Sequence, residues 1–199
     1  LVAVQQAAPD VRAMLKVLLA LCPAAAPRAL VERTYDVGVL QGTRAARTAA
    51  EAPHPSRART ARPGEAVLAA LTDAGVVDAD RTKVDVHPLL HRALRTLVPL
   101  DPTVVADLVT TLAALVEETK RDDPAMMRLL LAQAEPLVPL LDDLFGGDSL
   151  PAATVLIAIA SIHLYGLGDP AQAVAGFERT QEIWEARDRR SEERVSRNA

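Results

Sequence analysis

The sequence predicts a mainly α-helical protein whose first half carries a small β-hairpin and whose second half is built of helices alone. Three observations lead there. Apolar residues recur at i, i+3 and i+4 along most of the 199 residues. The segment Val76–Val86 instead breaks into two β-branched runs around the polar hexapeptide Asp78–Lys83. After Leu100, the apolar runs open on an acid or a serine close to a proline, the mark of successive helix starts.

Composition narrows the class. Half of the residues are hydrophobic and 24% are charged, which supplies a substantial core and is too apolar for a disordered chain. A formal net charge of -4 gives no overall attraction to nucleic acid. The longest apolar candidate, Ala152–Tyr165, carries Ser161 and His163 and falls short of the roughly 18 residues a membrane helix needs, so no membrane is expected as a partner. No basic segment leads into an apolar stretch after Leu1, and Cys22 is the single cysteine. The chain therefore reads as cytoplasmic, without an internal disulfide. Its first residue is not Met, which suggests part of a longer or processed protein.

In the first domain, residues 1–100, Val11, Met14, Leu15, Leu18, Leu19 and Cys22 share one helical face, giving a helix over about 11–22 that stops before Pro23. Pro27 opens a short second helix with Leu30 and Val31 inward, fading by Gly38. Residues 41–62 differ in kind, with Arg44, Arg47, Arg57, Arg59 and Arg62 against Glu51 and few large apolar residues. They read as a mobile basic loop or insertion. Pro63-Gly64 starts a third helix carrying Val67, Leu68 and Leu71, with Gly75 as its C′ residue. The strands at Val76-Val77 and Val84–Val86 follow, and then a helix with Leu90, Ala93, Leu94 and Leu97 on one face. Three helices, a hairpin and a closing helix make a winged-helix pattern.

The second domain, residues 101–199, has helix starts at Asp101-Pro102, Ser149 with Pro151, Asp123-Pro124 and Asp169-Pro170. Its first helix places Val104, Val105, Leu108, Leu112, Leu115 and Val116 inward. Pro136 and Pro139 kink or divide the next. Two antiparallel helices, about 151–166 and 170–190, meet at Leu167-Gly168-Asp169. Four of the five aromatics (Phe145, Tyr165, Phe177 and Trp184) fall in this half, where helix pairs need large residues to interlock.

Several chemistries have no motif here. None of the nine glycines is followed by Lys, and neither G-x-G-x-x-G nor G-x-S-x-G occurs, so phosphate-binding loop, dinucleotide fingerprint and nucleophile elbow are all missing. His87 and His91 stand four apart, but Pro88 starts the helix between them and leaves His87 outside it, so no metal site is expected. The pairs Asp142-Asp143 and Glu117-Glu118 lie in amphipathic stretches and read as solvated faces. No catalytic residue is expected, and the chain by itself is not read as an enzyme.

The stretch 154–187 resembles a tetratricopeptide repeat. With Gly168-Asp169 at the turn, Ala173 and Phe177 take the small and aromatic positions of the second helix, and Ile183 a late apolar one. The resemblance implies that Ala173 lets the helices approach and Phe177 fills the groove beside it. Ser161 and Thr180 stand where smaller residues are usual, and the closing proline is missing at Glu185, which implies a longer second helix.

The first half resembles the winged-helix region of bacterial NB-ARC/STAND-type regulatory ATPases. The helix–Pro–helix segment Met14–Leu30, with Leu-Cys-Pro-Ala-Ala-Ala-Pro at its break, carries this resemblance together with Val84–Leu97, which is similar to the family's Met-His-Asp region. By that resemblance His87 is the residue that contacts the β-phosphate of ADP in the parent protein, with Pro88 in place of the motif's Asp. It implies a regulatory piece of a signalling switch, with ADP or ATP bound by the parent's ATPase module and no cofactor in the chain itself. The winged helix would control that module, the repeat-like helices would bind a protein partner or the rest of the parent chain, and oligomers would form only with the module.

A winged-helix DNA-binding regulator is the alternative. It would set the helix from Pro63 in the major groove with Arg81 and Lys83 on phosphate. That helix offers Glu65, Thr72 and Asp73 but no Arg, Lys, Asn or Gln to read base edges, so nucleic acid is not favoured. A stand-alone helical-repeat adaptor is the third reading.

Overall fold

Proline opens most of the helices, because its missing N–H falls where a helix has no use for one. The computed structural model describes residues 9–21, 24–49, 63–119 and 122–198. In chain order the elements are α1 (Pro9–Ala20), β1 (Ala26–Pro27), α2 (Arg28–Ala49), α3 (Pro63–Asp73), β2 (Val77–Ala79), β3 (Lys83–Val86), α4 (Pro88–Leu97), α5 (Pro102–Thr119), α6 (Pro124–Ala134), α7 (Leu137–Phe145), α8 (Leu150–Ser161), a π-helical segment (Ile162–Leu167) and α9 (Pro170–Asn198). The described fold is mainly helical with one small three-stranded antiparallel sheet. It divides into two compact units, Leu1–Leu108 and Val109–Ala199, with the division inside α5.

In the first unit, α1 buries Met14, Leu15, Val17, Leu18 and Leu19 against α2 and α3. Cys22, expected on the same face, lies outside the described residues. Leu30, Val31 and Tyr35 of α2 complete that core with Leu68 and Leu71 of α3. The second helix does not fade at Gly38 as expected. It continues to Ala49, so the first part of the supposed loop, 41–49, is helical, and 50–62 lies outside the described residues. The reason is local: Gly38 disfavours a helix by only about 1 kcal/mol relative to Ala, and the Ala- and Arg-rich sequence after it is a good helix former.

The sheet has order β1-β3-β2, with Ala26 opposite Val84 and Val77 opposite Val86. The hairpin strands are where the β-branched runs place them, except that Val76 precedes β2. Strand β1 was not expected: two residues carry no alternation, and Ala26-Pro27 is extended only because Val84 and Lys83 lie beside it. Gly75, at φ 69, supplies the left-handed residue after α3 that a side chain would strain. Gly64 fits tightly at the start of α3, where a Cβ would stand 3.1 Å from the Glu32 carbonyl oxygen of α2. The Gly64 N–H donates to Asp36 Oδ1 at 3.0 Å, tying α3 to α2.

The cap residues act as the sequence implies. Asp101 accepts from Thr103 N, Asp123 from Met126 N, Ser149 from Ala152 N and Asp169 from Gln172 N. Pro136 and Pro139 resolve into two helices, α6 and α7, rather than one kinked helix. In the second unit Leu112, Met127, Leu130, Leu137, Leu141, Val155 and Ile162 are almost wholly buried. Leu150–Leu167, counted with both flanking leucines, reaches 18 residues at mean hydropathy 1.8, the length and composition of a membrane-crossing helix. The sequence reading of a shorter run is corrected to that extent. In the fold this stretch is the central helix of the second unit, packed against α6, α7 and α9.

Candidate functional site

The residue expected to sense a phosphate, His87, sits one position before α4. Its Nδ1 accepts from Leu89 N at 3.3 Å, so the ring caps the helix. Accepting at Nδ1 leaves the proton of the neutral ring on Nε2, a single N–H donor on an exposed residue. The N-terminus of α4 adds partial positive charge beside it. His91 is buried, at 3% exposed, and its Nε2 lies 2.9 Å from the Leu21 carbonyl oxygen. The inward line of α4 is therefore His91 and Leu94, and Leu97 and Ala93, expected inward, are exposed. Arg92 and Arg95 are exposed.

Burial holds the His91 pKa below its ordinary value, against the opposing pull of its bond to Leu21, and Arg95 nearby adds to the lowering. The unfolded chain thus binds a proton before the folded one does. Stability from His91 is complete above about pH 6.5 and falls as pH drops from there toward the folded pKa, by at most about 1.4 kcal/mol per pH unit. Thermal melts between pH 7.5 and 5 should show Tm falling over this window, with a flatter profile in His91→Gln. An equal slope in the variant would assign the effect to another group.

The turn between β2 and β3 is tightly organised. Asp80 Oδ1 accepts from Thr82 N at 2.7 Å, from Lys83 N at 2.8 Å and from Thr82 Oγ1 at 2.9 Å. The bond from Thr82 N is the chief cause that holds its carboxyl below the usual range. Arg28, which the sequence did not single out, clamps this turn to the helices: Nε donates to Glu32 at 2.6 Å, Nη1 to the Asp80 carbonyl at 3.0 Å, and Nη2 faces Glu65 at 3.8 Å. The exposed positions of α3 are Pro63, Glu65, Ala66, Ala69, Ala70 and Asp73. Such a face carries no phosphate-binding cation and no group to read a base edge.

In the second unit, Gly168 takes a left-handed conformation at φ 67 in the turn, and Ala173 is 1% exposed against α8. Gly176, which the sequence reading passed over, marks a close approach of α9 to α8: a Cβ there would stand 2.9 Å from Ala160 Cβ. The helix expected over 151–166 is α-helical only to Ser161 and then widens into the π-helical turn. Gly166 packs against Met127 within that turn, and Nδ1 of His163 is buried with no hydrogen-bond partner among the described residues.

Of the four aromatics in this half, Phe145 is half-buried, and Tyr165, Phe177 and Trp184 are each close to 40% exposed. Ile157 and Leu164 are exposed to a similar degree, and Val174 more so. Their placement follows from helical phase. On α9 the inward line is Ala173, Gly176, Thr180 and Ile183. Val174, Phe177 and Trp184 lie about 100° around from it, and Ile157 lies a similar turn around from the α9-facing Leu156. In an antiparallel pair these two rotations point to the same side. The hairpin thus presents one apolar face.

Among the described residues, no group of three His, Cys, Asp or Glu is arranged to hold a metal. The arrangement suits binding through donors, a clamp and apolar surface. Compared with known proteins, the chain matches no family model, no curated protein and no solved structure.

Proposed function

We propose that the chain is a regulatory, protein-binding part of a nucleotide-dependent signalling switch. The first unit is read as a winged helix that controls an ATPase module of the same protein, and the second as tetratricopeptide-like hairpins that bind a protein partner. The observation that carries the reading is the order of the small sheet. Strand β1, from between α1 and α2, lies beside β3, and the hairpin β2–β3 follows α3. Helix, strand, two helices and a hairpin closed by that first strand is the winged-helix order. Support for the second unit is the small-residue seam at Ala173 and Gly176 and the apolar face beside it. Such a face is what one hairpin leaves for a neighbour or a partner.

On this reading His87 offers its Nε2–H to an ADP phosphate next to the α4 N-terminus. A hydrogen bond to a charged group is worth about 1.5–3 kcal/mol, so His87→Ala in the full-length protein should speed ADP release roughly tenfold or more. His87→Asn keeps a side-chain acceptor for Leu89 N and separates loss of the cap from loss of the imidazole. ADP that co-purifies with the wild type and exchanges at the same rate from His87→Ala would remove the sensor role. A full-length protein that binds neither ADP nor ATP would remove the switch.

A further inference from the structure

The apolar face of the terminal hairpin is uncharged along one of its helices and acidic along the other. On the α8 side, Leu150 and Ile157 stand seven residues apart on one line, and both are exposed. From Leu150 to Leu167 there is no Asp, Glu, Lys or Arg, so this side contributes no charge.

On α9 the exposed Val174, Phe177 and Trp184 share their flank with Asp188, Glu192 and Glu185, which are exposed as well. At about 100° per residue, these acids lie about 20°, 60° and 80° around the helix from Phe177. Gln181 of the same flank donates to Glu185 Oε1 at 2.8 Å. Among the described residues no cation forms an ion pair with any of the three carboxylates.

The described cations of α9 stand further round. Arg179, Arg189 and Arg190 lie about 120° or more from Phe177, and Arg190 is taken up by Asp148. Arg187 reaches over the Trp184 ring from the inward line, 5.6 Å from its centroid. The flank therefore sets three carboxylates against one guanidinium. An apolar surface with a one-sided acidic edge complements a helix that is apolar on one face and basic beside it. The same carboxylates disfavour an anionic bilayer.

We infer that this face binds a basic amphipathic helix of a protein partner, with its apolar side chains against Ile157, Val174 and Phe177 and its cations on Glu185, Asp188 and Glu192. The inference rests on reading the second unit as a protein-binding element, and it assigns that partner a charge and a shape.

The test uses the full 199-residue chain and a fluorescein-labelled peptide, Leu-Lys-Lys-Leu-Leu-Lys-Lys-Leu-Leu-Lys-Lys-Leu, followed by fluorescence anisotropy. Saturable binding is expected, weakened at least tenfold by Glu185→Lys with Asp188→Lys, and by Phe177→Ser or Val174→Asp. The same peptide with Glu for every Lys should bind at least tenfold more weakly. Glu135→Lys with Asp143→Lys makes an equal change of net charge at exposed positions outside the hairpin, and should leave affinity unchanged. Circular dichroism would verify that each variant is folded. No saturable binding, equal loss in both charge-reversed pairs, or unchanged affinity in Phe177→Ser and Val174→Asp would overturn the proposal. A Glu peptide that binds equally well and is lost in Phe177→Ser would overturn the basic partner while protein binding by this face stands. Dimers seen by light scattering and abolished by Phe177→Ser would give the face to a second copy and overturn the proposal too. The switch reading falls separately, on nucleotide binding by the full-length protein.

Discussion

Leu141→Ala is expected to destabilise the second unit by about 2–5 kcal/mol, measured by urea denaturation followed by circular dichroism. Leu141 is wholly buried, and it sits in α7, a helix of nine residues whose only other buried residue is Leu137. So short a helix is held by its packing and not by its own propensity. Removing the isobutyl group takes away transfer free energy and leaves a cavity that the surroundings fill only in part. Leu89 supplies the contrast. At 71% exposure it has little burial to lose, and Leu89→Ala should change stability by no more than about 0.5 kcal/mol. Similar losses in both variants would mean that α7 is not docked as described.

The second large effect is expected at Gly176. A Cβ there would meet Ala160 Cβ at 2.9 Å and Ala160 Cα at 3.5 Å, and these atoms belong to a helix that cannot yield as a flexible side-chain tip does. Gly176→Ala brings two opposing changes, about 1 kcal/mol of better helix propensity against the enforced separation of the helices. Gly176→Val adds two methyl groups to the same contact and gains less propensity, so overpacking wins, at about 1–3 kcal/mol. The decisive measurement is a double-mutant cycle. Adding Ala160→Gly should recover part of what Gly176→Val loses, because the two sites share one contact. Strictly additive effects would show that the helices do not meet there.

What was legible in the sequence was governed by neighbours in the chain. Asp101, Asp123, Ser149 and Asp169 announce helix starts because a cap bond spans two or three residues. What was illegible depended on distant partners. Nothing in Ala26-Pro27 declares a strand until Val84 lies beside it. The burial of His91 was hidden differently: its position shares a face with Leu94, but an imidazole is read as polar until a carbonyl, that of Leu21, is found to satisfy it. The exposure of Phe177 was not legible either, because a repeat pattern specifies which positions are aromatic, whereas exposure depends on what stacks against the hairpin. Gly176 was recoverable, since it lies three residues beyond Ala173 on the inward line. The overhang of α9, 29 residues against 18 for α8 and the π-helical turn together, was not, because it depends on where the partner helix ends.

That difference in length has a mechanical side. The cluster of Ile183 with Ala153 and Leu156 lies near the middle of α9, and roughly 22 Å of helix extend from there to Asn198. That contact is a fulcrum and the remainder of the helix is an arm. A tilt of about 5° at the fulcrum carries the tip through about 2 Å, by the geometry of a rigid rod of that length. The Arg190–Asp148 ion pair ties the arm partway along, but both partners are exposed, and such a pair contributes only about 0–1 kcal/mol. A small rearrangement beside Ile183 is thus delivered, amplified, at the end of α9.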